Sequence, residues 1–260
     1  MRAPQHLLYD WDEIRPRFSR ASRVALFLDF DGTLAPIRSR PESASLAGNV
    51  RALLKRISQS GVCVAIITGR GLADVRRRVN LDGVWYAGSH GYFLLDPQGR
   101  RYTLLTKQQR ANIQSVLRSI RPALRSIPGI QIEPKDATIS VHYRRAKPSA
   151  VRSARVVVCQ AVKSNPGLKL MHGKKIWEIL PAARVNKWTA ARFILKKQFS
   201  SRRKLLLFYL GDDTTDEAVF RGMKGISVVI GKRKATAAHY FLRSHSEVKQ
   251  FLRRWRQLTD

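Results

Sequence analysis

The stretch LFLDFDGTLAPI, residues 26 to 37, closes an apolar run from Val24 to Leu28 with two carboxylates two positions apart, Asp29 and Asp31, and follows them with Gly32 and Thr33. A continuous apolar run of this length suits a strand buried on both faces, as in a parallel sheet. A buried strand that ends in two like charges is either an incidental turn or a place where a bound group needs both. Working outward, Val50, Leu53, Leu54 and Ile57 repeat at the spacing of one helical face, and Gly61 is placed to stop that helix. VCVAIIT, residues 62 to 68, reads as a second buried strand, and VWYAGS, residues 84 to 89, as a third. Strands alternating with helices predict a parallel sheet covered on both faces.

The pattern then changes. YFLLDPQGRRYTLL reads as a hairpin with a Pro-Gln-Gly turn between Asp96 and Arg100. A helix is expected over 107–126, half-exposed strands in GIQIEP and TISVHYR, a helix over 149–163, and short strands at 168–172 and 176–179. The doubly wound pattern resumes with a helix over 186–199, the core strand LLLFYLG at 205–211, a helix from Thr214, the strand ISVVIG and a last helix. In that last helix Val248, Phe251, Leu252 and Trp255 form the apolar stripe. The expectation is an α/β fold: a doubly wound, Rossmann-like core of residues 1–102 and 173–260, with an α+β unit of residues 103–172 inserted into it.

With 260 residues and 44% hydrophobic content, the chain can bury one large core or two modest ones. It has no apolar run of about 18 residues, so no membrane span is expected. Its first residues are broken by charges and lack the apolar core of a secretory signal. Cys63 and Cys159, each in an apolar run, are expected as small buried hydrophobes, and reduced thiols fit a cytoplasmic location. Lys and Arg total 49 against 18 Asp and Glu, a net charge of +31. That field attracts nucleic acid, an anionic membrane surface or a phosphorylated substrate, unless the charge only solvates the surface. Clusters occur at Arg76-Arg77-Arg78, Arg202-Arg203-Lys204 and Arg253-Arg254. With no zinc-ligand spacing and no recognisable nucleic-acid module, no specific nucleic-acid partner is expected. A monomer is expected.

Open parallel sheets build their sites beyond the C-terminal ends of the strands. Four segments of the core end in reactive residues: Asp29 to Thr33, Thr68-Gly69-Arg70, Asn186-Lys187, and Gly211 to Asp216. Asp29, Asp31, Asp212, Asp213 and Asp216 would crowd one rim, and like charges raise one another's pKa unless a cation compensates. A hard divalent cation with oxygen ligands suits them, Mg²⁺ above all, and Mg²⁺ favours one or two carboxylates with a phosphate oxygen. Gly32 lets the backbone turn so that amides can face phosphate oxygens. The parts then fit phosphoryl transfer. Asp29 is the candidate nucleophile. Asp31 is the candidate proton donor to the leaving oxygen, and then the base for water. Thr68 offers a hydroxyl to a phosphoryl oxygen and Lys187 a positive charge. Asp29, Asp31 and Asp212 are the expected metal ligands, with Asp213 and Asp216 as outer-shell or helix-cap residues.

Each motif alone has a plainer reading. Asp-x-Asp-Gly also marks an Asx turn or a calcium loop. Thr68-Gly69 can be a turn that ends a strand, Lys187 a surface lysine, and Asp212-Asp213 a helix cap. The joint pattern carries the reading, because all four sets fall where one sheet edge would gather them.

These motifs resemble the haloacid dehalogenase superfamily of phosphohydrolases: LFLDFDGTLAPI its first, IITGR its second, NKW its lysine motif and YLGDDTTDEAVF its fourth. A closer resemblance is to the trehalose-6-phosphate phosphatase family. It rests on DFDGTLAPI with Pro41 after it, ITGR with Asp74 beyond, GSHGY at 88–92, EPKDATISVHYR at 133–144 and GDDTTDEAVF. The likeness runs from about Ser22 to Val248. It implies an inserted cap, Mg²⁺, and hydrolysis of trehalose 6-phosphate through an aspartyl phosphate. The alternatives are another sugar phosphate, such as glucosylglycerol phosphate or sucrose phosphate, and, more distantly, a basic nucleic-acid-binding protein. The resemblance implies substrate contacts from Gly32, Thr33, Gly69, Arg70 and His90 in the core and from Glu133, Lys135, His142, Arg144 and Glu178 further on. His142 reads equally as a strand residue packed beneath the cap.

The sequence departs from the family pattern at Phe93, where an acidic residue is usual, at Leu180, where a basic one is, and at Trp188, where glycine is. These departures bear on sugar recognition and leave the phosphoryl machinery intact. Trp188 is bulky enough to line or narrow a pocket.

Overall fold

The computed structural model describes residues 3–37, 44–135, 137–173, 175–182, 185–201, 203–231 and 235–258. Pro41 and Arg202 lie outside the described residues. The chain divides into two compact units, Met1–Thr103 with Val185–Asp260, and Leu104–Arg184.

The first segment of unit 1 contains β1 (Gln5–His6), α1 (Trp11–Arg20), β2 (Arg23–Leu28), α2 (Gly48–Gln59), β3 (Cys63–Ile67), α3 (Leu72–Val79), β4 (Trp85–Gly88), β5 (Phe93–Leu95) and β6 (Arg101–Thr103). Unit 2 contains α4 (Lys107–Arg125), β7 (Gln131–Pro134), β8 (Ile139–His142), α5 (Pro148–Lys163), β9 (Leu168–Gly173) and β10 (Ile176–Pro181). Unit 1 resumes with α6 (Lys187–Gln198), β11 (Leu205–Gly211), α7 (Glu217–Gly222), β12 (Ile226–Ile230), β13 (Tyr240–Leu242) and α8 (His245–Arg256).

Unit 1 is built on a nine-stranded sheet in the order β1-β13-β12-β11-β2-β3-β4-β5-β6. It is parallel from β1 to β4, and β5 and β6 add an antiparallel edge hairpin. From β2 the chain first winds outward through β3 and β4, then returns to β11 and winds the other way. The direction of winding therefore reverses at the β2/β11 pair, where Leu26 lies opposite Phe208 and Leu28 opposite Leu210. That reversal opens a crevice at the strand ends and so places the site.

The central strands are buried on both faces, as their unbroken apolar runs require: Ala25 to Leu28 and Val64 to Ile67 are at most 1% exposed. One face is covered by α2, through Val50, Leu53, Leu54 and Ile57, and by α8, through Val248, Phe251, Leu252 and Trp255. The N-terminal residues also join this core. In α1 Trp11 and Ile14 are buried, and the Phe18 ring meets Trp255 edge-on at 4.8 Å. Trp255 in turn packs on Phe208 of β11 at 4.7 Å. The charges between the apolar residues of α1 are the solvent face of an amphipathic helix. Three further elements have weak sequence signals. β1 and β13 are two and three residues long, and α3 is short and carries Arg76, Arg77 and Arg78 in its last turn.

Unit 2 is a four-stranded antiparallel sheet in the order β7-β8-β10-β9, with α4 and α5 on one face. Ile113, Val116, Ile120 and Leu124 of α4 and Ala154 and Val158 of α5 cover Ile139, Val141, Trp177 and Ile179. The insert expected to end at His172 differs from this division. Ile176–Pro181 pairs with β8 on one side and β9 on the other, so its backbone hydrogen bonds hold it inside the unit 2 sheet. Cys159 also differs from expectation: it is exposed, while Cys63 is buried. The run VVVC lies on a helix, where 100° per residue turns Val158 inward and Cys159 outward.

Candidate active site

Asp29 follows β2, and its amide donates to the Leu210 carbonyl at 2.9 Å, which locks the start of the loop to β11. Its carboxylate is buried, 3% exposed. Lys187 reaches it from the first turn of α6, where Asn186 caps the helix by accepting from the Thr189 amide at 2.9 Å. The Lys187 ammonium donates to Asp29 Oδ1 at 2.8 Å and to Asp216 Oδ1 at 2.7 Å. Asp216 is wholly buried and also accepts from the Tyr209 hydroxyl at 2.6 Å and the Asp213 amide at 2.9 Å. Carboxylate oxygens of Asp29, Asp212 and Asp216 lie within 4.8 Å of one another.

One lysine therefore faces three carboxylates. Burial pushes the Asp29 carboxyl well above the usual range; Lys187 opposes this, and Asp216 and Asp212 add to it. Asp212 is raised to about 6, by burial first and by Asp216 next. Burial works against the Lys187 charge, but Asp216 and Asp29 outweigh it and hold the ammonium above its ordinary pKa. The donor set is all oxygen and carries more negative charge than Lys187 offsets. It fits a hard divalent cation of the Mg²⁺ kind, to which Asp29 and Asp212 would offer carboxylate oxygens while Asp216 is tied to Lys187 and Tyr209.

Asp31 is placed differently from its expected role as a metal ligand. Its two oxygens accept from Arg70 Nε and Nη2, both at 2.6 Å, so the carboxylate lies outside the three-acid cluster. Arg70, expected to meet substrate, also donates to Asp74 at 3.0 Å, and Asp74 accepts from Arg78 at 2.7 Å. The side chain of Phe30, between the two aspartates, is fully buried in the core.

Gly32 has a positive φ of 80°, and a Cβ there would lie 2.0 Å from Asp212 Oδ2. The missing side chain is what lets the loop approach Asp212. The Gly32 N–H itself donates to the Ala35 carbonyl at 2.7 Å. The Thr33 hydroxyl is buried with no partner among the described residues. Thr68, 1% exposed, ends β3, and its hydroxyl accepts from the Arg70 amide at 3.2 Å. His90 donates its amide to the Thr68 carbonyl at 3.0 Å, and its ring covers Gly69, where a Cβ would lie 2.7 Å from the imidazole. Asp213 is exposed and forms a reciprocal cap with Asp216 across a single 3₁₀ turn, Thr214–Asp216.

In unit 2, Glu133, His142 and Glu178 stand on the sheet face opposite the helices, since Ile132, Val141 and Trp177 beside them point into the helical core. His142 Nε2 meets Glu133 Oε2 at 2.8 Å. Lys135 and Ser140 both donate to Glu178 Oε1, at 3.0 and 3.1 Å. Arg144 is exposed just past β8.

The Trp188 indole packs where a Cβ on Gly222 would lie, 2.3 Å from Nε1, and so docks α6 on α7. Phe93 and Leu180 are buried strand residues. Tyr209 is the residue that sequence reasoning missed. Its signal was a phenol in an otherwise apolar core strand, where the hydroxyl needs a partner.

The family model for trehalose-phosphatase matches residues 27–246. The chain belongs to the trehalose-phosphatase family. This is a family of phosphoric monoester hydrolases within the haloacid dehalogenase fold. Among its relatives, trehalose 6-phosphate phosphatase RA3 of Zea mays is 32% identical over 255 residues, 91% of this chain and 70% of the relative. The trehalose-phosphate phosphatase of Mycobacterium marinum is 35% identical over 246 residues, 91% of this chain but only 62% of the relative. The C-terminal domain of the C. albicans trehalose-6-phosphate phosphatase superposes with a TM-score of 0.80 at 22% identity, covering 99% of this chain and 98% of that one. A haloacid dehalogenase-like hydrolase from Bacteroides thetaiotaomicron shares the fold with a TM-score of 0.66 at 14% identity, covering 90% and 100%.

Proposed function

We propose that this member of the trehalose-phosphatase family hydrolyses trehalose 6-phosphate to trehalose and phosphate, with Mg²⁺. The observation that carries the reading is the buried Asp29 at the end of β2, held by Lys187 within the three-carboxylate cluster. The named relatives supply the sugar.

The Asp29 carboxylate attacks phosphorus, the bond to the sugar oxygen breaks, and Asp31 gives that oxygen its proton. Asp31 then takes a proton from water as the water oxygen attacks the same phosphorus, and Asp29 is released with free phosphate. To serve as this shuttle, Asp31 exchanges its two hydrogen bonds to Arg70 for one to the sugar oxygen. Lys187 works against the effect of burial in favour of the ionised Asp29 and offsets charge that builds in the transition state. Thr68 and Thr33 offer hydroxyls to phosphoryl oxygens. Bound at Asp29 and Asp212, Mg²⁺ supplies positive charge against the phosphoryl group. Glu133, Lys135, His142, Arg144 and Glu178 are assigned to the sugar hydroxyls. The Glu133–His142 pair and the contacts of Lys135 and Ser140 with Glu178 give fixed donors and acceptors.

Phosphate release across a panel of sugar phosphates, with and without Mg²⁺, tests the proposal. Trehalose 6-phosphate is expected to give the highest kcat/KM, and chelation is expected to abolish turnover. A higher kcat/KM for sucrose phosphate or glucosylglycerol phosphate would replace the substrate and keep the chemistry.

A further inference from the structure

The helices of unit 2 carry a charge pattern that the proposed reaction leaves unused. Buried residues of α4 and α5 face the sheet, and an exposed flank of each helix, about 120° round from the buried stripe, is basic. At 100° per residue, Lys107, Arg110, Arg118, Arg121 and Arg125 fall within an arc of about 80° along α4, a stripe about 27 Å long. All five are exposed. Arg152, Arg155 and Lys163 form the same kind of stripe on α5 and are likewise exposed. Neither helix contains an Asp or Glu, and the acids of unit 2 are Glu133, Asp136 and Glu178.

A helix face that meets only water usually mixes signs, because like charges three or four residues apart repel one another. Arg118, Arg121 and Arg125 have that spacing, as do Arg152 and Arg155. A polyanion laid across the two stripes turns this repulsion into attraction. Six of the eight bases are arginines, whose guanidinium groups grip phosphate in bidentate fashion. A membrane surface fits less well, since amphipathic anchors need large apolar side chains and only Val156 among the exposed large hydrophobics lies on this layer. Unpaired bases fit less well too, since neither helix has an aromatic residue for them to stack on. We propose that the outer layer of α4 and α5 binds the phosphate backbone of a nucleic-acid duplex without reading its sequence.

The test uses the full chain and fluorescence anisotropy of a labelled random-sequence duplex across a range of KCl. Wild type is expected to bind with a log K against log salt slope of about −4 or steeper, as about five phosphate contacts require. Arg118→Glu/Arg121→Glu/Arg125→Glu, and its milder Gln counterpart, are expected to flatten that slope by about 2 to 3 and to weaken binding at least tenfold at about 0.1 M salt. Arg76→Glu/Lys196→Glu/Arg253→Glu changes the net charge equally in unit 1 and is expected to keep the wild-type slope. Circular dichroism and thermal transitions check that each variant folds, and the Gln variant carries the test if the Glu variant does not. Equal losses in the unit 1 control would overturn the proposal, as would no duplex binding, or tighter binding to phosphatidylserine vesicles than to duplex at equal phosphate.

Discussion

Lys187 sits between Asp29 and Asp216 with 3% of its side chain exposed, so its partners, not solvent, hold its charge. Removing it leaves the buried Asp29 and Asp216 without the ammonium that balances their charge. Lys187→Ala is expected to lower stability by about 3–5 kcal/mol in urea unfolding and kcat by about 10² or more. Tyr209→Phe removes one donor to Asp216 and is expected to cost about 1–3 kcal/mol by the same measurement. Asp212 gives a pH signature. Its folded pKa is raised to about 6, so its ionised form burdens the metal-free fold as pH rises through that value, and metal binding relieves the burden. The gain in Tm from Mg²⁺ is therefore expected to be larger at about pH 7 than at about pH 5. A gain independent of pH would remove Asp212 from the metal site. Asp29, Lys187 and Asp212 could be read from the sequence because each lies in a local motif at a strand or helix end. The Arg70–Asp31 pair could not, because its two side chains lie far apart in sequence and leave no local spacing to detect; Tyr209 showed only as a phenol in an apolar strand, with nothing local to name Asp216 as its partner.

At the element scale, short loops and close approaches set the site. Gly32→Ala would force a Cβ into the Asp212 carboxylate at a positive φ. It is expected to fold with reduced stability and to lose most of its activity, with Asp212 displaced and the affinity for Mg²⁺ weakened in calorimetry. Normal Mg²⁺ affinity in that variant would show that the loop and Asp212 are not coupled. The central strands and long helices were legible because burial on both faces, or on one face, writes a clear apolar period. The parts that were not legible have physical reasons. β1 and β13 hold too few residues to show a period, and α1 has Pro16 and five charged residues within its ten. β10 reads equally well as a core or an insert strand until its hydrogen-bond partners are known.

At the scale of the molecule, the proposal gives phosphoryl chemistry to unit 1 and sugar recognition to unit 2. Glu178→Gln is accordingly expected to raise KM for trehalose 6-phosphate while leaving the Mg²⁺-dependent gain in Tm unchanged. The division was legible from the change in periodicity after β6, and its far boundary was not, for the reason given for β10. The central claim is that Asp29 is the nucleophile of a Mg²⁺-dependent phosphatase. The most direct measurement is phosphate release from trehalose 6-phosphate with Mg²⁺ by wild type and Asp29→Asn, each shown folded by circular dichroism. The account predicts turnover by wild type and none above background for Asp29→Asn; near-normal turnover by Asp29→Asn would contradict it.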